Sequence, residues 1–460
     1  MVKCPGCGSG MVFDPVSQKV KCEHCSTMLE PEVASTTMTV EDQGVFESVL
    51  YVCPQCGGEI VSDADTVATF CSYCGASVIL ESRVVQMVAP SHVIPFKIPK
   101  ESCKNIYKGL ISKAIYAPSY MKSEEQINKV RGIYMPYWDY DFTKNGQIRL
   151  NGRKSYRRGD YVYTDHYVLS ADISASYEGV SYDASSSFSD ELSNSIAPFI
   201  VSDAKEFNPS YLSGFYADTA DVSDEVYSND ARNIVKSDLQ NYCRNIPEFR
   251  GYTIDSNNDV TLGLEMTSKE VDYYPVWFLA NRHNDKISYA VINGQTGKVS
   301  ADIPIDYTKY LIGTLILSVP IIVLLNMFLT LTPNTMAIIA IIFAAIIFFT
   351  VNGQCNLIYR RENNLNDKGM LSKRTAKTIS AGMPMKQKGR IIVKPAIAAL
   401  IDLIVVVVQP VYDYVYYIAI ILSLVFVLIS FYDVISGHNR LTMRKPQQFG
   451  VRGGDENASI

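Results

Sequence analysis

Eight of the eleven cysteines in this 460-residue chain fall into four C-x-x-C pairs, and the pairs repeat as a block. "CPGCGSGMVFDPVSQKVKCEHC" runs from Cys4 to Cys25, and "CPQCGGEIVSDADTVATFCSYC" from Cys53 to Cys74. Both open on C-P-x-C-G, place fourteen residues between the second and third cysteines, and close on C-x-x-C, with Asp14 matching Asp63. Each C-x-x-C sets two sulfurs on a tight turn that can grip one face of a metal ion. Four thiolates from two such turns make a closed tetrahedral site, which selects Zn2+ and leaves no coordination position open for catalysis. The expected cofactors are therefore two structural Zn2+ ions. Cys4, Cys7, Cys22 and Cys25 would hold one, and Cys53, Cys56, Cys71 and Cys74 the other. His24 reads as a solvated turn residue, since Cys22 and Cys25 already complete the first set.

The fourteen intervening residues suit a β-hairpin, with apolar residues on both sides of an Asp-containing turn in "MVFDPVSQKV" and "EIVSDADTVATF". A segment this short cannot bury enough surface to fold alone. Metal must supply the stability, on the order of 10–16 kcal/mol per structural zinc.

Charge indicates what such modules would touch. Residues 1–80 contain three Lys+Arg (Lys3, Lys19, Lys21) and ten Asp+Glu. Nucleic-acid binding rests on cations that neutralise phosphates, so the modules read as protein-docking surfaces, with no nucleic acid favoured. The linker "EPEVASTTMTVEDQG" (30–44) is polar, acidic and expected to be flexible. "MVKCPGCGSG" has no apolar core behind its charge, so the N-terminus is expected to stay in the cytosol. That compartment suits thiolates for metal and leaves Cys103, Cys243 and Cys355 as free thiols.

A tyrosine-rich stretch from about 91 to 305 must position these modules. The two tryptophans of the chain lie in matching contexts, "YMPYW" (134–138) and "YYPVW" (273–277), both Y-x-P-x-W. A helix-like segment precedes each (100–117 and 221–243), and strand-and-turn sequence follows. The pattern predicts an α+β domain built as a duplication of one unit. Asn145-Gly146 is a hairpin signal, as are Asn284-Asp285, Asn293-Gly294 and Thr296-Gly297. "DYVYTDHYVLSADISASYEGV" alternates like a strand with one buried face. The aromatic clusters read as core, with a peptide groove as the other reading. His166 beside Asp165, and His283 near Asp285, have no nucleophile at a recognisable spacing. "GQTGK" (294–298) lacks the spacing of a phosphate loop. No enzyme activity is expected.

The last 150 residues change character. Residues 1–309 carry 28 Lys+Arg and 40 Asp+Glu, whereas 310–460 carry 14 and 7. Apolar runs at 311–331, 336–351, 395–408 and 411–435 predict four membrane spans, the first of them kinked at Pro320. The loop 352–394 holds ten Lys+Arg against two acids, and the tail after Ser436 holds four Lys+Arg. Positive segments face the cytoplasm, so both chain ends are expected inside, with the basic loop lying against anionic headgroups. Asp402 sits within the third span, where a charge costs about 2.5–3.5 kcal/mol on insertion scales. It reads as a residue of the bundle interior bonded to Asn326 or Tyr416; the other reading is an ion or proton relay.

The order of parts resembles bacterial membrane-anchored zinc-ribbon proteins of the transcription-factor-IIB type. The block "YPVWFLANRHNDKISYAVINGQTGKVSADIP" carries most of that likeness. The resemblance implies ribbons used for protein contacts and no catalytic residues. It also implies, for some relatives, recruitment of flotillin-like SPFH-domain proteins to the membrane in phage-shock-type envelope stress.

The resulting division is a zinc ribbon over 1–30, an acidic linker over 31–48, a second all-β ribbon over 49–82 and an α+β cytosolic domain over 91–305. A transmembrane hairpin (310–353), a basic cytoplasmic loop (354–393), a second hairpin (394–436) and a disordered basic tail (437–460) follow. The expected activity is that of a membrane adaptor whose ribbons dock a cytosolic or peripheral membrane protein. A membrane-tethered nucleic-acid-binding regulator and a channel or transporter subunit are the competing readings.

Overall fold

The computed structural model describes residues 2–34, 45–62, 71–76, 81–255, 263–328, 331–372 and 382–445. Most of the acidic linker, the expected second strand of the second hairpin, the middle of the basic loop and the end of the tail lie outside these residues. So does the Asn326 side chain.

In chain order, β1 (Met11–Asp14), β2 (Lys19–Cys22) and β3 (Met28–Leu29) form a small separate sheet, followed by one helical turn, α1 (Pro31–Ala34). A larger sheet then takes in β4 (Val45–Val52), β5 (Glu59–Ser62), β6 (Glu81–Val88) and β7 (His92–Val93). After α2 (Lys100–Lys113) and the short α3 (Glu124–Ile127) come the two longest strands, β8 (Arg131–Arg158) and β9 (Tyr161–Asp183). Helix α4 (Asp190–Ile196), strands β10 (Lys205–Glu206) and β11 (Tyr216–Ala217), and helix α5 (Glu225–Arg244) follow. The sheet is completed by β12 (Thr253–Ile254), β13 (Leu264–His283), β14 (Lys286–Asn293) and β15 (Val299–Ala301).

The two Y-x-P-x-W motifs lie side by side at the centre of this sheet. β8 and β13 run antiparallel, pairing Tyr134 with Pro275, Met135 with Tyr274 and Pro136 with Tyr273. Proline has no N–H for the ladder and is confined to places where pairing is interrupted. Both prolines meet that condition. β8 pairs with β11 at Ile133 and Tyr134 and with β9 from Tyr137 onward, so Pro136 sits where its neighbour changes. β13 pairs with β7 up to Tyr273 and with β14 from Val276, so Pro275 does the same. Their carbonyls accept from Ala184 N and Gly294 N, each at 2.8 Å.

The tryptophans are also matched. Trp138 Nε1 donates to Val222 O (2.8 Å) just before α5, and Trp277 Nε1 donates to Ile98 O (2.9 Å) just before α2. Each motif thereby holds the helix of the other half. The helices bury one stripe each: Cys103, Tyr107 and Ile111 on α2, and Tyr227, Ala231, Val235, Leu239 and Cys243 on α5, the i, i+4 spacing of an amphipathic helix. Cys103 and Cys243 are thus core residues, and burial pushes the Cys103 thiol up to about 12.

One turn is not where its signal stands. β8 runs straight through Asn145-Gly146, which pair with Ser174 and Ile173, and the hairpin closes at Gly159-Asp160, where Gly159 has φ +64°. A continuous ladder with β9 outweighs one local turn preference. The tip is not half-buried as its alternation predicts: Tyr161, Val162 and Val168 are all exposed. The signals at Asn284-Asp285 and Thr296-Gly297 do mark turns, with Asn284 at φ +54° and Gly297 at φ +78°.

Four further helices are long and apolar enough to cross a membrane: α6 (Tyr307–Phe328), α7 (Pro333–Glu362), α9 (Met385–Val408) and α10 (Asp413–Thr442). The short α8 (Lys368–Ser372) lies between α7 and α9. At 1.5 Å per residue, thirty residues span about 45 Å, more than the ~30 Å hydrocarbon core, so α7 and α10 project beyond it. The segments expected as loop and disordered tail are therefore partly helical. α7 continues to Glu362, α9 starts at Met385 and runs through Pro395, and α10 continues to Thr442. Beyond it, Arg444 exchanges two backbone hydrogen bonds of 2.8 Å with Ile287. Order there follows from docking onto the sheet domain.

α7, α9 and α10 pack together through Ala337, Val405, Tyr416 and Ala419, and again where Val351 and Cys355 of α7 meet Ile391 of α9, Val434 of α10 and Met383 just before α9. α6 meets its neighbours at its first turns, Tyr310 against Tyr116 and Phe431, and Tyr307 against Tyr432.

Candidate metal centres

All four C-x-x-C turns share one backbone pattern. The amide four residues after the first cysteine donates back to that cysteine's carbonyl: Gly8 to Cys4, Ser26 to Cys22, Gly57 to Cys53, Gly75 to Cys71. The first cysteine's own amide donates to the residue five positions on, Ser9, Thr27, Gly58 and Ala76 respectively. The turn demands a left-handed residue at the fourth position, and glycine fills it three times, with φ of +64° to +75°. Ser26 takes the same conformation at φ +61°.

These turns bring the eight cysteines into two clusters, and all eight are free thiols. Cys4 and Cys25 Sγ are 3.4 Å apart and Cys7 and Cys22 3.5 Å apart. Cys53–Cys74 and Cys56–Cys71 are both at 3.7 Å. Metal–sulfur bonds of about 2.3 Å put the corners of a regular tetrahedron about 3.8 Å apart. Both clusters are therefore of a size to hold a metal ion in four-fold sulfur coordination.

The clusters differ in surroundings. The outer one belongs to the β1–β3 sheet, and its Cys7 and Cys25 are exposed. It is fastened by Phe13 N to Ser213 O (2.9 Å), by Gln18 Nε2 to Phe96 O (2.7 Å) and by the Phe13–Tyr211 edge contact. Gly214 permits this approach, because a Cβ there would fall 2.3 Å from Val12 Cγ1. The inner cluster is wholly buried, with all four cysteines at 0–1% exposure. Its β5 pairs with β11 of the large sheet through Val61 and Ala217. Tyr289 Oη donates to Tyr73 O (2.8 Å), and Arg282 Nη1 donates to Cys74 O (3.2 Å). The inner module is thus part of the wall of the sheet domain, while the outer one rides on it.

A third group of possible ligands, His92, Glu270 and Asp272, was not visible in the sequence because some 180 positions separate its members. The parallel pairing of β7 with β13 brings it together. His92 Nδ1 lies 3.3 Å from Asp272 and 3.5 Å from Glu270.

Within the spans, Asp402 is fully buried, but neither of its oxygens has a hydrogen-bond partner among the described residues. The expected bond to Tyr416 is not made, and the Asn326 side chain lies outside the described residues. The sequence reading also passed over Asp433, which pairs with Lys394 at 2.7 Å between α10 and α9. A further network joins the helices to the sheet domain. Arg361, at the end of α7, binds Asp302 (2.8 Å) and Glu191 (2.6 Å), and Arg444 lies beside the same two acids. Burial of Arg444 pushes its pKa below the usual arginine value.

Against known proteins, 311 residues, 67% of this chain and 91% of the relative, are 30% identical to the uncharacterized protein YdjG of Bacillus subtilis (strain 168). The chain belongs to the YdjG family. No family model matches it, and no solved structure does. In this member, the chain's own residues show a sheet-rich domain, two tetracysteine clusters and four apolar helices.

Proposed function

We propose that the chain is a non-enzymatic multi-pass membrane adaptor whose two clusters hold structural Zn2+ in ribbons of the transcription-factor-IIB type. The outer ribbon docks a cytosolic or peripheral membrane protein, an SPFH-type protein being the partner that the sequence resemblance suggests. The observation that carries this reading is the asymmetry between the clusters. The inner one is enclosed as a staple of the sheet domain, whereas the outer module leaves Val16 at its hairpin turn (72% exposed), Met28 on β3 and Val33 on α1 open to solvent, along with Cys7 and Cys25. Apolar residues on a small metal-stabilised platform with few cations suit a protein partner better than phosphate.

The start of α6, the end of α7 and the end of α10 all meet the sheet domain, through Tyr116–Tyr310, Arg361–Asp302 and Arg444–Ile287. This supports two helical hairpins with the soluble domain, the basic loop and the C-terminus on the cytoplasmic side. A photoreactive residue in place of Met28 tests the docking role in intact cells. A cross-linked protein that disappears on Val16→Glu supports it, and an uncross-linked chain contradicts it.

Asp402 carries a second reading, a subunit that passes protons or ions, because its buried carboxylate makes no well-formed hydrogen bond among the described residues, with Ser423 of α10 as its polar neighbour. Flux in reconstituted vesicles that vanishes on Asp402→Asn would select this reading.

A further inference from the structure

A cleft of about 460 Å³ opens where the sheet domain meets the segment between α7 and α8. The end of β9 (Tyr182, Asp183), helix α4 (Asp190, Ser193), helix α5 (Tyr227, Asp230) and Lys368 all contribute to its walls. Three carboxylates face one ammonium, and that ammonium is already bound, since Lys368 Nζ pairs with Asp230. Asp190 is satisfied by Tyr227 Oη (2.6 Å) and Lys368 N (2.9 Å). Asp183 is satisfied only in part: it is 3% exposed and lies against Ser185 N, while its Oδ1 has no partner among the described residues. Asp367, whose charge also acts on Asp183, is 6% exposed, and its Oδ2 has no partner among the described residues. Burying a carboxylate oxygen without a partner is costly. Burial, reinforced by Asp190 and Asp367, pushes the Asp183 carboxyl well above its usual range, so it holds a proton until an ammonium binding there takes that proton's place.

We propose that this cleft binds a small organic polycation of the diamine or polyamine class, with Asp183 as its inner anchor. Size and ligand geometry separate this ligand from a bare metal ion. The volume falls in the range of small-molecule pockets. A divalent cation needs oxygens converging at about 2.0–2.6 Å, and the close groups of three or more acidic, His or Cys ligands among the described residues all lie elsewhere. Two amines several ångströms apart would instead meet Asp183 inside and the Asp230 edge outside. Tyr182 and Tyr227, stacked at 5.0 Å and 10°, supply an aromatic wall that attracts ammonium groups. Bound there, the ligand would tie the α7–α8 segment to α4 and α5. The inference does not depend on the docking role.

The test is isothermal titration of the full-length protein in detergent with spermidine, at fixed ionic strength. Saturable binding near one per chain is expected, at least tenfold weaker in Asp183→Asn and unchanged in Asp160→Asn, a charge control on the hairpin tip. Because Asp183→Asn could disturb folding, Asn233→Trp on the exposed side of the cleft serves as a second variant and should also weaken binding tenfold or more. No saturable binding would overturn the proposal. So would equal affinity in both cleft variants, or displacement of spermidine by Mg2+ at matched charge.

Discussion

The two clusters should respond very differently to loss of their metal. The perturbation is Cys71→Ser with Cys74→Ser in the inner cluster, against Cys22→Ser with Cys25→Ser in the outer one. A structural zinc site contributes on the order of 10–16 kcal/mol, while a whole domain is stable by about 5–15 kcal/mol. The inner cluster is enclosed and its β5 is hydrogen-bonded into the large sheet, so losing its metal removes about as much as the domain has. The outer cluster belongs to its own three-stranded sheet. Its loss forfeits the Phe13 and Gln18 contacts, about 2–5 kcal/mol by side-chain burial and hydrogen-bond terms. At roughly 2–4 °C per kcal/mol for a domain of this size, Tm falls by about 4–20 °C while the sheet domain stays folded. Both tryptophans lie in the large sheet, in β8 and β13, so their emission during a thermal melt of the detergent-solubilised protein reads that sheet alone. The reasoning is refuted if the outer variant abolishes the tryptophan transition, or if the inner variant keeps it.

Three other outcomes follow from the same structure. Trp138→Phe and Trp277→Phe each remove one indole bond to a carbonyl before a helix, and each should cost about 1–3 kcal/mol in a denaturant melt; one costly and one neutral substitution would break the matched-role account. Arg361→Met leaves Asp302 with only Arg444, 3.7 Å away, and for this half-buried pair the loss of the charged hydrogen bonds costs about 1.5–3 kcal/mol; amide exchange at Ile287 and Arg444 should then rise about tenfold or more, and unchanged exchange would contradict it. Burial pushes the Asp218 carboxyl up to about 7 against an ordinary value near 4. The folded state therefore holds more protons than the unfolded state between about pH 4 and 7, and stability falls as pH rises through that window before levelling. Asp218→Asn should flatten the slope, and an unchanged pH profile of Tm would count against it.

What the sequence made legible was local. The C-x-x-C-G spacing gives both clusters because every ligand lies within 22 positions of its mates. The apolar runs give the four helices because the span length is set by the bilayer. The paired motifs were visible, but their placement was not, since which strand a proline neighbours is settled by distant β7 and β11. For the same reason the inner cluster's place in the sheet wall was hidden: Val61 meets Ala217 across some 150 residues. Asn145-Gly146 misled because turn propensity is weak beside a ladder of more than twenty paired residues. Asp402 was legible as a position, while its lack of a partner depends on three-dimensional packing.

The docking role of the outer ribbon is tested most directly by purifying the tagged full-length chain from its native membranes beside a Val16→Glu, Met28→Glu variant. Both samples are assayed for zinc, for melting and for co-purifying proteins. The account predicts two zinc ions per chain and the same melt in both, with a cytosolic or peripheral protein present in the wild type and missing from the variant. Identical protein lists from two equally folded, equally metallated samples would contradict it.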